Sequence, residues 1–218
     1  RSTLFPYTTL FRSLAEHASD GHASETVTQV LLGTPVQILE TSGGWRRIRM
    51  PDGYTGWING GVRSVTEAEW ERYRSAPKII VTALYASAYS AADPQSRQVS
   101  DLVAGCILRR DAIEGAFYRV SYPDGRCAFV KRSDARPYDA WLSDCNPSGA
   151  DITATAQSLS GIPYVWGGTS SKGVDCSGLT RLVYFLHGIV LPRDASQQAR
   201  CGKLTDDTAG FEIGRAHV

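Results

Sequence analysis

The sequence predicts a multidomain protein in which two small all-β units precede part of an α+β domain. Two segments repeat without a gap at an offset of 72 residues, and a charged, helix-prone stretch lies between them. From about residue 148, strand-like alternation gives way to helical spacing around a glycine-rich loop. The 218 residues are 42% hydrophobic and 21% charged, which suits a globular chain with room for a few small domains. No apolar run approaches the roughly 20 residues of a membrane span, and the first residues lack the order of a signal peptide.

Thr3 to Ser13, "TLFPYTTLFRS", is identical to one reading frame of a widely used short-read sequencing adapter, and the terminal "EIGRAHV" looks like the opposite adapter translated. Residues 1–13 and 212–218 are therefore expected to be artefactual, with natural sequence running from about Leu14 to Phe211. Without the three arginines and one glutamate of those ends, the formal charge moves from +1 to about −1. A chain so close to neutral, with no basic run, offers no electrostatic footprint for nucleic acid or an anionic membrane.

The repeat consists of "GTPVQILETSGGWRRIRMPDGYTGWI" from Gly33 and "GCILRRDAIEGAFYRVSYPDGRCAFV" from Gly105. Identities fall at Gly33/Gly105, Arg47/Arg119, Pro51/Pro123, Asp52/Asp124 and Gly53/Gly125. Each copy reads as short strands around a Pro-Asp-Gly turn, whose glycine supplies the positive φ of a tight hairpin. These units resemble bacterial SH3-like domains, expected over residues 14–65 and 78–137, in which a Gly-Trp strand meets an Asp-Gly-x-x-Gly-Trp hairpin. The first copy has Trp45 and Trp57; the second has Phe117 and Phe129 in their places. Core packing is the expected role of these aromatics. Residues 66–77 form a helical linker that Pro77 stops.

Five cysteines, at 106, 127, 145, 176 and 201, form no CxxC pair and no Cys/His cluster with metal spacing, so neither zinc nor another cofactor is expected. Cys106 and Cys127 are read as buried free thiols rather than a disulfide.

Ile152, Ala156 and Leu159 fall at helical spacing, and Gly161 and Pro163 end that segment. A second helix follows "PYVWGGTSSKG", with Leu179, Leu182, Val183 and Leu186 along one face and Gly188 placed as its C′ residue. Asp175 is then the N-cap and Cys176 a first-turn residue. The positive end of a helix favours a thiolate by about 0.3–1 kcal/mol, too little to make a nucleophile, so an imidazole is needed.

Four histidines can be weighed. His187 lies eleven residues beyond Cys176, about 16 Å along a helix axis at 1.5 Å per residue. His17 and His22 sit in a polar entry segment, and His217 belongs to the adapter-like tail. The base is not expected in this chain.

"YVWGGTSSKGVDCSG" and the later "LPRDASQQ" together resemble the NlpC/P60 family of papain-like cysteine peptidases, over residues 148–211 or roughly the first half of such a domain. The resemblance implies Cys176 as nucleophile, with the family's histidine on a sheet beyond this segment. Two SH3-like units ahead of it resemble the subgroup that cleaves between γ-D-glutamate and the diamino acid of peptidoglycan stem peptides bearing a free N-terminal L-alanine. By position, Asp175, Ser196 and Tyr54 would hold that ammonium, and Ser177 with nearby backbone amides would form the oxyanion hole. Tyr164 and Trp166 would line the cleft or brace its loop. Each ammonium residue has a structural alternative: Asp175 as a pure N-cap, Ser196 as a turn residue, Tyr54 as hairpin packing. Arg193 and Asp194 would form a local surface ion pair.

The function so implied is that of a monomeric, cofactor-free cysteine endopeptidase of the cell envelope, periplasmic or exported, with muropeptides as substrate. It would have no nucleic-acid partner and no membrane span in this chain. As this chain stands, it is expected to be catalytically silent. The rivals are a non-catalytic module that binds wall peptide and an amidase or acyltransferase on the same scaffold.

Overall fold

A computed structural model describes residues 26–60 and 62–202 in full and the backbone of four short strands before them. The readings of His17, of the His22 side chain, of His217 and of the 212–218 tail lie outside the described residues.

The first sheet contains β1 (Thr3–Pro6), β2 (Arg12–Ala15), β5 (Thr26–Val30), β6 (Val36–Ser42), β7 (Trp45–Arg49), β8 (Thr55–Asn59) and β9 (Val62–Val65), with a separate hairpin, β3 (Ala18–Ser19) and β4 (His22–Ala23), between β2 and β5. Its strand order is β5-β2-β8-β7-β6-β1-β9. Helix α1 (Glu67–Ser75) follows, opened by a Thr66–Glu69 capping box and stopped ahead of Pro77.

The second sheet contains β10 (Lys78–Val81), β11 (Tyr85–Tyr89), β12 (Gln98–Val103), β13 (Ile107–Glu114), β14 (Phe117–Ser121), β15 (Cys127–Lys131) and β16 (Ala135–Pro137). Its order, β12-β11-β15-β14-β13-β10-β16, is that of the first sheet strand for strand. Even the β-bulges coincide, between Ile38 and Glu40 in one copy and between Arg110 and Ala112 in the other.

The expected start of the first unit at Leu14 differs from what the backbone does. Strand β1 pairs with β6 and β9 in the position that β10 takes in the second sheet. An extended segment satisfies the unpaired groups between two strands whatever its origin.

Aliphatic residues fill the cores. Val30, Val36, Ile48, Met50, Ile58 and Val62 form the first, whereas Trp45 and Trp57 are only half-buried. The expectation that these tryptophans pack the core is therefore corrected, because both project from a narrow sheet whose interior is already filled by branched chains. In the second copy Phe117 is buried and Phe129 half-buried. Cys106 is buried, and desolvation pushes its thiol up to about 11. Cys127 is exposed, against expectation, and neither is disulfide-bonded.

The remaining elements are α2 (Tyr138–Ser143), α3 (Gly149–Ser158), the hairpin β17 (Thr169–Ser170) and β18 (Gly173–Val174), α4 (Cys176–Phe185) and the short α5 (Ala195–Gln198). Leu159, Val174, Leu182 and Val183 form a third apolar cluster, with Ile152, Ala156, Leu179 and Leu186 against it. The predicted helical stripes thus meet each other. Gly188, at φ 77°, closes α4, its amide reaching the Phe185 carbonyl (2.9 Å) while the Ile189 amide reaches that of Tyr184 (3.0 Å).

Three of the contacts that join these parts involve buried side chains. Leu31 and Leu32, between β5 and β6, enter the core of the second sheet, and the Ile107 amide bonds the Leu32 carbonyl at 3.0 Å. The β17–β18 hairpin is wedged between the sheets, with the Thr169 amide donating to the Gln29 side chain (2.9 Å) and the Tyr85 hydroxyl to the Ser171 carbonyl (2.5 Å). The third is the Asp52–Arg181 ion pair between the first Pro-Asp-Gly turn and α4, at 2.8 Å with the carboxylate 1% exposed. Asp52 and its repeat partner Asp124 close the same turn, accepting from the amides of Tyr54 and Arg126. The second oxygen of Asp124, however, pairs only with its neighbour Arg126.

Asp52→Ala should destabilise the chain by about 3 kcal/mol, as the loss of one partner from a buried pair does, and Asp124→Ala by less than about 1 kcal/mol. Urea unfolding of the two variants checks the contrast.

Candidate active site

The head of α4 is set by close approach. The Asp175 amide donates to the Gly168 carbonyl at 3.1 Å, and that same carbonyl lies 1.9 Å from where a Cβ on Gly178 would sit. Gly167, at φ 76°, is pressed on Thr26 of β5, which a Cβ there would meet at 2.7 Å. The glycines of "WGG" and "DCSG" thus answer to one constraint: the loop carbonyl and the helix start must touch.

Asp175 caps the helix, accepting from the Gly178 amide at 2.7 Å. Its other acceptor sites are also occupied. The Gly167 amide donates to Oδ2 at 3.0 Å, the Ser177 hydroxyl to Oδ1 at 3.3 Å, and the Arg193 guanidinium to both oxygens. Arg193 is itself buried, donating further to the Ser177 hydroxyl (2.7 Å) and to the Thr28 hydroxyl of β5 (3.0 Å). Burial alone would push the Asp175 carboxyl up, but the Arg193 fork and the two amides outweigh it and hold the carboxyl below its ordinary value. The expected surface pair of Arg193 with Asp194 is thereby corrected: a guanidinium aimed inward finds a bidentate carboxylate that is buried with it.

Cys176 is exposed on the first turn, where helix amides have no intrahelical acceptor. It opens onto a cleft of about 980 Å³. The far wall is the first sheet, through Arg47, Tyr54 and Trp57; the near wall is Asp175, Ser177, Trp166, Asp194 and Gln197. Of the expected residues, Tyr54, Trp166, Asp175, Cys176 and Ser177 therefore come together. Two do not line the cleft. Ser196 lies exposed on α5, where the helical turn presents Ala195 and Gln197 to the cleft instead. Tyr164 is exposed outside it, held by a backbone bridge to Val174.

His187 is bound to the Thr155 hydroxyl at 2.8 Å, across the α3–α4 contact and away from the helix head. Among the described residues, no other imidazole side chain is present. The residues that sequence reasoning missed are Arg193 as the helix-head anchor, Arg47, and Asp194 as a cleft carboxylate. The arginine of "LPRD" was the available signal for the first.

Comparison with known proteins places this geometry. Residues 161–214 match the profile of the NlpC/P60 family, and residues 17–60 that of the bacterial dipeptidyl-peptidase Sh3 domain. The chain therefore carries a papain-like NlpC/P60 domain segment behind an SH3-like domain. It is 31% identical to the gamma-D-glutamyl-L-lysine dipeptidyl-peptidase of Bacillus cereus, over 85% of this chain and 57% of the relative. The protein of the same designation from Bacillus subtilis is 30% identical, over 84% of this chain and 62% of the relative. The chain thus spans about three fifths of these relatives. A crystal structure of an NlpC/P60 family protein from Bacillus cereus shares the fold, with a TM-score of 0.79 at 24% identity over 94% of this chain and 79% of that one. An NlpC/P60 endopeptidase from Photobacterium damselae also shares it, with a TM-score of 0.62 at 17% identity over 91% of this chain and 45% of that one.

The lowered carboxyl of Asp175 has a definite sign. It contributes stability that is fully present above the unfolded value, about 3.9, and lost as pH falls through the folded one. Asp175→Asn should therefore be less stable than the parent at pH 7, and its stability should change less on acidification below about pH 4. Denaturant midpoints across that range check it.

Proposed function

We propose that this chain carries the nucleophile of a cysteine peptidase that cuts the γ-D-glutamyl–diamino acid bond of stem peptides with a free N-terminal L-alanine. The observation that carries the reading is the shared cleft: the first sheet faces Cys176 across it through Tyr54 and Trp57. A cut two residues from an amino end needs a wall that measures that distance, and a neighbouring domain supplies one. The names of the two Bacillus relatives specify the same γ-glutamyl linkage.

In this reading a general base takes the proton of the Cys176 thiol, the thiolate attacks the γ-carbonyl, the first-turn amides at Cys176 and Ser177 receive the developing oxyanion, and the same proton passes to the departing amine of the diamino acid as the amide bond breaks. Water then hydrolyses the thioester. Trp166 flanks the acyl group. The ammonium of L-alanine falls to Tyr54 and to Asp194, whose side chain makes no cap bond on α5, because Asp175 is committed to Arg193. The substrate is wall peptide outside the cytoplasmic membrane, met by a monomer, with the second sheet as another SH3-like unit. That no imidazole among the described residues reaches Cys176 supports the reading that the 218-residue chain binds peptide without turning it over.

Two measurements test this. Incubation with L-Ala-γ-D-Glu-L-Lys should release no lysine; release abolished by Cys176→Ala would overturn the silence. Calorimetry with L-Ala-γ-D-Glu should show binding that weakens about tenfold or more on acetylation of the alanine and on Asp194→Asn. Equal affinity for the acetylated peptide would sink the free-amine reading.

A further inference from the structure

Among the described residues, two guanidinium groups line the cleft, Arg47 and Arg193, and they differ in what they have left to offer. Arg193 is buried and committed to Asp175, Ser177 and Thr28. Arg47 stands on β7, directly opposite Trp57 of β8. Its side chain is 47% exposed, and its ion pair with Glu40 is long, at 3.9 Å, with the glutamate itself 56% exposed. An exposed pair at that distance holds the guanidinium weakly and leaves its fork of donors open to a ligand. Among the described residues, Arg47 is thus an available cation on the wall facing the nucleophile.

A γ-linked glutamyl residue carries a feature that an ordinary peptide lacks: its α-carboxylate is free, because the chain continues through the side chain. Such a ligand brings a carboxylate into the cleft together with the scissile carbonyl. We propose that Arg47 is the residue that receives this α-carboxylate and makes the site discriminate glutamyl from α-amidated, isoglutaminyl peptides. The assignment rests on the reading of the cleft given above and adds its acidic specificity. A planar guanidinium matches a carboxylate through two parallel hydrogen bonds, and an amide can neither accept both nor answer the charge.

The internal repeat supplies a control. Arg119 occupies the same place in the second copy, opposite Phe129 and exposed, but lines no part of this cleft. An arginine kept only for strand structure would behave alike in both copies.

The experiment is calorimetric titration of the full 218-residue chain with L-Ala-γ-D-Glu and with its α-amide, L-Ala-D-isoglutamine, using the parent, Arg47→Ala and Arg119→Ala. The parent should prefer the acid about tenfold or more. Arg47→Ala should bring that preference close to unity through lost affinity for the acid, with the circular dichroism spectrum of a folded chain; Arg119→Ala should keep the preference of the parent. A preference that survives Arg47→Ala, or a parent that binds both ligands equally, overturns the role of Arg47 and leaves the cleft's function standing. Failure of the parent to bind either ligand overturns the reading of the cleft, and this assignment with it.

Discussion

The buried carboxylate of Asp175 is the constraint on which the site depends. It caps α4, ties down the Gly167 loop, and accepts both arms of a guanidinium that also reaches into the first sheet. Each of those donors alone would be an ordinary hydrogen bond; together they make a charged network away from water, where a missing member leaves the rest unpaired. The position of Cys176 follows from it. A thiol one residue after the cap can move only as far as the cap, the loop and the sheet allow.

The paired β units show how one local design acquires different duties through context. Gly33 and Gly105 both hold positive φ, and both face the neighbouring part of the molecule rather than solvent: a Cβ on the first would meet the Ile107 carbonyl, on the second Leu31 and Phe185. Asp52 and Asp124 close the same turn, yet one reaches α4 and the other its neighbour Arg126. Trp57 walls a cleft, whereas Phe129 lines none of it. The first unit has become part of the site, and the second braces it through Tyr85, Leu84 and the β17–β18 hairpin.

That division explains the electrostatic character of the cleft. Asp175 and Arg193 neutralise each other at its base, so they set geometry and contribute little net field. Asp194 on one wall and Arg47 on the other carry the charges that a ligand meets. A ligand that carries both an ammonium and a carboxylate is complementary to that arrangement, and an uncharged one is not.

Much of this was determined locally and could be read from the chain. The Pro-Asp-Gly turns, the apolar stripes of α3 and α4, the Asp175 cap and the Gly188 stop all depend on residues within a few positions of one another, where spacing alone carries the physics. The glycine-rich loop beside Asp-Cys-Ser-Gly was legible for the same reason. What the tertiary structure decided lies at long separation: Arg193 bonding Thr28, Thr169 bonding Gln29, Arg181 pairing with Asp52, and Arg47 facing Cys176 across the cleft. Those partners sit in different domains, and no periodicity encodes which surface docks on which. Ser196 shows a smaller version of the same limit, since a one-residue step on a helix turns a side chain through about 100°, and Ala195 and Gln197 line the cleft where Ser196 does not.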